Sequence, residues 1–184
     1  MKRFYTLSLI PLFSFAVYAQ NIKVLEPEYS GDIVFINDSI GSGIPLEKKT
    51  TNIEIKTSAL TWIPIVGLFV GKSTSSKVVK GCCSNVIIPK KKNIQLIIKV
   101  DDYSQNPQSY IKIFSLIKKE NCRQNVLYVS KTFGGAKEET TNYIEYTAQK
   151  YGISSYLIEI PNIESGEYAI NLYKSIDFNL FQIQ

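Results

Sequence analysis

The chain reads as an all-β protein, an antiparallel β-sandwich with more strands than a minimal one. Three observations predict this. Some ten to twelve short apolar runs recur, with turn residues every ~8–12 positions. Several of them alternate apolar and polar residues with the period of two that a half-buried strand requires. No stretch carries a convincing helical period with caps at both ends.

The first residues stand apart from this pattern. Lys2 and Arg3 precede an apolar run from Phe4 to Val17, and Val17-Tyr18-Ala19 supplies the small residues that a signal peptidase reads. Residues 1–19 are therefore expected to be a secretory signal peptide. The run is shorter than the ~20 residues of a membrane span, and a polar chain follows at once. Cleavage takes two cations away, which leaves 19 Lys and Arg against 16 Asp and Glu, a charge of +3. So small an excess on an exported chain argues against a nucleic-acid partner. Residues 20–184 are long enough to bury a core and are expected to form one sandwich domain. The alternative is a small β unit over 20–100 followed by a second over 101–184.

Taken in order, Asn21–Glu26 and Asp32–Ile36 read as strands separated by Pro27 and Gly31, and 37–43 (NDSIGSG) as a hairpin turn. Asp38-Ser39-Ile40 resembles a bacterial O-glycosylation acceptor, and the loop oxygens suggest Ca²⁺, but the calcium pattern is incomplete. Asn52–Lys56 alternates as a half-buried strand. Ala59–Val70 is the most apolar run, read as a buried strand with a corner at Pro64–Gly67. The competing reading is an exposed tip around Trp62 that docks a partner.

Ser73–Ser76 reads as a polar turn, Lys77–Lys80 and Asn85–Ile88 as strand pieces, and Lys90-Lys91-Lys92 as a solvated hairpin end before the clear strand Asn93–Asp101. Asp101–Pro107 reads as a polar loop. Tyr110–Lys118 and Asn125–Thr132 form a hairpin, with a break at Phe133-Gly134-Gly135. Tyr143–Tyr151 reads as a strand that ends in one helical turn near Gln149. Three strands close the chain, over Ser155–Ile160, Glu167–Tyr173 and Phe178–Ile183.

In the segment Ile158–Tyr173, Ser165-Gly166 forms a corner from which Tyr168 leaves on the face shared with Ile170 and Leu172. An apolar residue, then Gly, then Tyr in this spacing resembles the tyrosine corner of Ig-like and fibronectin-like sandwiches. That resemblance implies an Ig-like sandwich with extra strands, in which Gly166 and Tyr168 are structural and the Tyr168 hydroxyl bonds back to the corner. The Gly166-Glu167-Tyr168 corner in an exported chain also resembles exported proteins of Bacteroidetes-type bacteria, which implies no activity.

The chain contains no His. Ser-His and Cys-His nucleophiles and imidazole-based zinc sites are excluded, and three Cys cannot make a four-cysteine zinc site. No catalytic residue, metal site or cofactor is expected. Cys82, Cys83 and Cys122 leave two readings open: a disulfide from Cys82 or Cys83 to Cys122, or three buried free thiols. No C-x-x-C redox motif is present.

The expected function is non-enzymatic: an exported module binding a protein or glycan of the cell envelope, in the periplasm, at the cell surface or outside. Trp62, Tyr103 and Tyr146 are the candidate ligand-binding rings. The alternatives are a glycoside hydrolase or lyase working with two carboxylates, or a subunit that exchanges a strand through Asp177–Gln184.

Overall fold

A computed structural model describes residues 24–37, 41–58, 61–63, 68–101, 103–131, 135–138 and 141–184, with only the backbone described over 61–63, 68–70 and 135–138. The expected signal peptide 1–19, the Asp38-Ser39-Ile40 tripeptide, the expected corner at Pro64–Gly67 and the Trp62 side chain lie outside the described residues.

The fold is all-β with antiparallel sheets, as the sequence predicts, and the larger sheet curls into a half-barrel. The strands are β1 (Ile33–Asn37), β2 (Ser42–Pro45), β3 (Glu47–Thr50), β4 (Asn52–Thr57), β5 (Thr61–Ile63), β6 (Leu68–Val70), β7 (Lys72–Lys80), β8 (Ile87–Ile88) and β9 (Asn93–Lys99). A single-turn helix, α1 (Pro107–Tyr110), is followed by β10 (Ile111–Lys118), β11 (Cys122–Lys131), β12 (Gly135–Glu138), β13 (Thr147–Tyr151), β14 (Ser155–Pro161), β15 (Gly166–Leu172) and β16 (Asp177–Ile183). One sheet runs β13-β14-β9-β1-β2. The other runs β3-β16-β15-β10-β11-β7-β4, with β12 added to β11 and the short parallel β8 to β16. Strands from both sides of residue 100 share each of these two sheets, while β5 and β6 form a separate two-stranded pair.

The curl follows from chain connectivity. The two edge strands of the large sheet, β3 and β4, are separated in sequence only by Thr51, whose N–H and hydroxyl both bond Ile176 O (3.1 and 2.7 Å). Consecutive Cα atoms lie 3.8 Å apart, so a strip seven strands wide must bend until its ends meet at that corner.

Alternation then sorts the apolar side chains into three layers. Between the sheets pack Phe35, Leu96, Ile98, Ile111, Ile113, Ile158, Ile170 and Phe181 with their neighbours. Inside the curl a second cluster holds Val79, Phe114, Leu116, Ala169, Phe178 and Leu180. On the outer face of the five-stranded sheet, Val24, Ile36, Ile97 and Leu157 form a third. Each fully buried Leu, Ile or Phe stabilises by about 1.5–3 kcal/mol relative to exposure.

Several segments depart from the sequence reading. Val24–Pro27 is not a strand; Glu26 instead clamps the β13–β14 turn. Its carboxylate accepts bonds from Ile153 N–H, Ser154 N–H (3.2 Å), Ser155 Oγ (2.7 Å) and Lys99 Nζ (3.2 Å). Gly152 has φ +59°, and a Cβ there would stand 1.8 Å from Glu26 Oε1. Ser73–Ser76 is not a turn but the middle of β7, where pairing with β4 and β11 overrides the weak strand propensity of Ser. No helical turn forms near Gln149: β13 pairs through to Tyr151↔Ser155, and Gly152 turns the chain. Ala59–Val70 is two strands paired with each other rather than one. β4 alternates as expected but is exposed on both faces. Asn106 caps α1, its side chain accepting from Gln108 N–H, with Pro107 at the first helical position.

At the corner before β15 the Tyr168 side chain turns back on the chain it has just left. The buried Tyr168 hydroxyl donates to Glu164 O at 2.8 Å, and its ring stacks on Phe181 at 5.5 Å.

Two outcomes follow from these contacts. Tyr168→Phe should lower stability by about 1 kcal/mol in denaturant melts, the value of one buried hydrogen bond. Burial raises the Glu26 carboxyl, but the bonds from Ser155, Ile153, Ser154 and Lys99 outweigh it and hold the group at about 2. Since this lies below its unfolded value of 4.5, the stabilisation is complete above that pH and fades as pH falls toward 2. Glu26→Gln should cost on the order of 2 kcal/mol at pH 7. Urea melts at stepped pH should also show a flattened acid limb between 4.5 and 2 in that variant.

Candidate functional site

The concave side of the curl is the candidate site. It is closed at one end by buried charges and open at the other.

At the closed end Arg123, on β11, is fully buried. Strand pairing sets Arg123 opposite Lys118 on β10 and Val79 on β7. Its Nε donates to Gly81 O at 3.1 Å and its Nη1 to Glu167 Oε2 at 3.3 Å. Its Nη2 lies 3.7 Å from Glu47 Oε2. The same Glu167 oxygen accepts Ser84 N–H at 3.1 Å. Glu47 accepts Ser84 Oγ (3.1 Å), Asn85 N–H (3.2 Å) and Lys49 Nζ (2.6 Å). Burial raises the Glu47 carboxyl, but these bonds and the Lys49 charge win and hold it below its ordinary range. Two carboxylates thus neutralise the guanidinium, while Arg123 Nη2 and Glu167 Oε1 keep no hydrogen-bond partner among the described residues.

At the open end the side chains that alternate inward make a cleft of about 210 Å³. Phe114 and Phe178 pack edge-to-face at 5.2 Å, and Tyr143 stands edge-on to Phe114 at 6.2 Å. Lys77 Nζ lies 5.6 Å from the Phe178 centroid and Lys112 Nζ 5.7 Å from that of Tyr143. Asn125, Thr141, Asn171, Leu127 and Tyr128 complete the wall. The rings form the floor and rim, and the two ammonium groups with the amides provide the polar contacts. Tyr143 is 57% exposed and Tyr128 50%, so the rim presents aromatic faces to solvent. Register with Lys77 and Ser75 puts Ile53 and Ile55 of β4 on this same concave side, 66% and 70% exposed.

The residues singled out in the sequence fall elsewhere. Tyr146 is buried, its hydroxyl 2.9 Å from both Pro107 O and Ile111 O, and burial pushes its phenol up. The Tyr103 hydroxyl lies 2.7 and 2.6 Å from Tyr151 O and Ser155 O and accepts Ser155 N–H. Both rings therefore tie strands and loops together rather than lining the cleft. Gly166 opens β15, and Tyr168 is buried with its hydroxyl bonded to Glu164 O, away from the cleft. Cys82, Cys83 and Cys122 are all free thiols, each half-exposed rather than buried, so no bridge reaches Cys122. Asp177–Gln184 is internal, β16 being bonded on one edge to β15 and on the other to β3 and β8.

Arg123, Glu167, Glu47 and the cleft residues Lys77, Lys112, Phe114, Tyr143 and Phe178 were not legible as a site. They come from six separate strands and one connecting segment. The signal available was a charge at the strand position Glu167; Arg123 fell in the loop of the expected hairpin, because the strand starts at Cys122 rather than Asn125.

Among the described residues no group of three or more His, Cys, Asp or Glu side chains is placed to hold a metal ion. No helix among them is long and apolar enough to cross a membrane. Comparison with known protein families, curated proteins and solved structures gives no match.

Proposed function

We propose that this is an exported, non-enzymatic binding module that takes an acidic glycan of the cell envelope in the open end of the curl. The observation that carries the reading is the pairing of aromatic faces with Lys77 and Lys112, in a lining that, among the described residues, holds amides and no carboxylate. Sugar rings stack on aromatic faces, their hydroxyls bond amides, and an acidic substituent is drawn to the ammonium groups. The volume lies below the ~300–1,000 Å³ that encloses a drug-sized ligand. One ring of an extended chain fits such a space better than a whole small molecule.

The carboxylate-hydrolase alternative draws less support. It requires a carboxyl raised in pKa near a second one in the cleft. Glu26, Glu47 and Glu164 are all held low, and none of them lines the cleft.

A protein partner is the second reading, and one observation favours it. Among the described residues β4 pairs only with β7, and it carries exposed Ile53 and Ile55 along that edge. An extended segment of another protein could add there as a further strand. Such a partner would be accepted on β4, and the β16 segment would stay within the sheet.

The test is a glycan array and an envelope pull-down with the chain from Gln20, repeated with Tyr143→Ala and Lys112→Glu. Acidic glycans should be retained, and each substitution should weaken retention by about tenfold or more, the loss of roughly 1–2 kcal/mol of stacking or charge contact. Retention of a protein that Ile53→Glu abolishes, with no glycan bound, would favour the second reading. Binding that neither cleft substitution alters would remove the cleft from the function.

A further inference from the structure

A second pocket lies on the opposite face of the large sheet from the cleft. In β15 and β16 the cleft takes Asn171 and Phe178, while the next residues, Leu172 and Asn179, alternate to the face between the two sheets. There they line a pocket of about 270 Å³ at the end of the inter-sheet core. Lys48 on β3, Asp101 after β9 and the turn from β15 into β16 complete the wall.

The polar groups of this pocket are placed in an unusual way. Asn179 is only 4% exposed, on a strand face that otherwise carries Phe181 and Ile183. Among the described residues no hydrogen bond reaches its side-chain amide. A buried amide without a partner is costly, so one that lines a cavity offers a donor and an acceptor to an occupant. Register sets Lys48 directly opposite Asn179 on the same face, where cross-strand Cβ atoms stand ~4.5–5.5 Å apart. Lys48 Nζ lies 3.7 Å from where a Cβ on Gly31 would stand, and so does Leu172 Cδ1. Gly31 has φ +82°, a conformation that keeps this wall free of a side chain. Lys174 lies in the left-handed region at φ +64°, which a residue with a long side chain seldom adopts. Its turn is fixed, since Ser175 N–H donates to Leu172 O at 2.9 Å and Asn171 Nδ2 to Ser175 O at 3.0 Å. The charges of the described lining are thus two ammonium groups, Lys48 and Lys174, and one carboxylate, Asp101. Asp32 stands 3.7 Å from Lys48, but that pair is half-exposed and of the kind that contributes little.

We propose that this pocket binds a free acidic α-amino acid. Its two carboxylates meet Lys48 and Lys174, its ammonium meets Asp101, and the Asn179 amide bonds the group that reaches deepest. Two negative charges and one positive on the ligand complement two positive and one negative on the lining. Leu172 and Tyr110 supply an apolar floor for the methylenes. The volume lies just below the ~300–1,000 Å³ of drug-sized sites, which suits a smaller molecule. The pocket shares no lining residue with the open cleft, and its ligand does not depend on the glycan reading.

The test titrates the folded protein at low salt with L-glutamate, followed by calorimetry. Glutarate, which lacks the ammonium, and L-glutamine, which lacks the second carboxylate, are the comparison ligands. L-Glutamate should saturate one site below about 10 mM, and each comparison ligand should bind at least about threefold more weakly. Lys174→Ala and Asp101→Asn, both at exposed positions, should each weaken L-glutamate by a similar factor. Lys119→Ala, past the far end of β10, removes a cation elsewhere and should change nothing. The Asn179 side-chain amide signals should shift during an NMR titration with L-glutamate. No saturation by about 10 mM, a comparison ligand that binds as tightly as L-glutamate, or binding unchanged in Lys174→Ala or Asp101→Asn would overturn the proposal. The ligand series uses the unsubstituted protein and stands even where a variant fails to fold.

Discussion

The rest of the structure depends on one buried guanidinium. Arg123 has no exposed surface, and it ties β11 to Glu167 on β15, to Glu47 on β3 and to the loop after β7. Taking a charge out of water costs several kcal/mol, and the attraction of a buried pair often does no more than offset that cost. The cluster therefore counts as a constraint more than as a source of net stability. Once Arg123 is inside, only one arrangement of the strip brings two carboxylates and a carbonyl to it. Connectivity through Thr51 bends the strip, and the charge requirement selects its register over a slipped one.

The curl has a consequence at its other end. The closed end is filled by charges and by Val79, Leu116 and Leu180, whereas the open end has only Phe114 and Phe178 as its floor. A sheet that bends to enclose one end leaves a concave face at the other, and the inward-alternating residues there become a lining. Lys77, Lys112, Asn125 and Tyr143 occupy those positions. Position in the strand order, not a local motif, makes them neighbours. The turn after β7 is pinned by the same guanidinium, whose Nε donates to Gly81 O.

Much of the fold was legible because it rests on local alternation. β9, β10, β14, β15 and β16 lie where apolar runs and turn residues put them, and the Tyr168 hydroxyl reaches back to the corner as the spacing implies. β7 was missed because Ser and Thr at 73–76 speak for a turn until strands on both sides claim them. β2 and β3 were missed because Pro45 and the Lys48-Lys49 pair mask two four-residue strands. The site was less legible for a deeper reason. Trp62, Tyr103 and Tyr146 were chosen by residue type, and type does not report which hydroxyl is already committed to backbone carbonyls. The cleft residues meet only through non-local pairing.

A double-mutant cycle on Arg123 and Glu167 tests the central claim most directly, read as unfolding free energy in denaturant. Arg123→Met should cost about 3–5 kcal/mol, because it strands Glu167 in the core. Glu167→Leu should cost a similar amount by stranding the guanidinium. The double substitution should lose less than the two single losses combined, by about 1–3 kcal/mol of coupling. Single losses below about 1 kcal/mol that simply add would contradict the account, since they would mean the strand register holds without its buried cation.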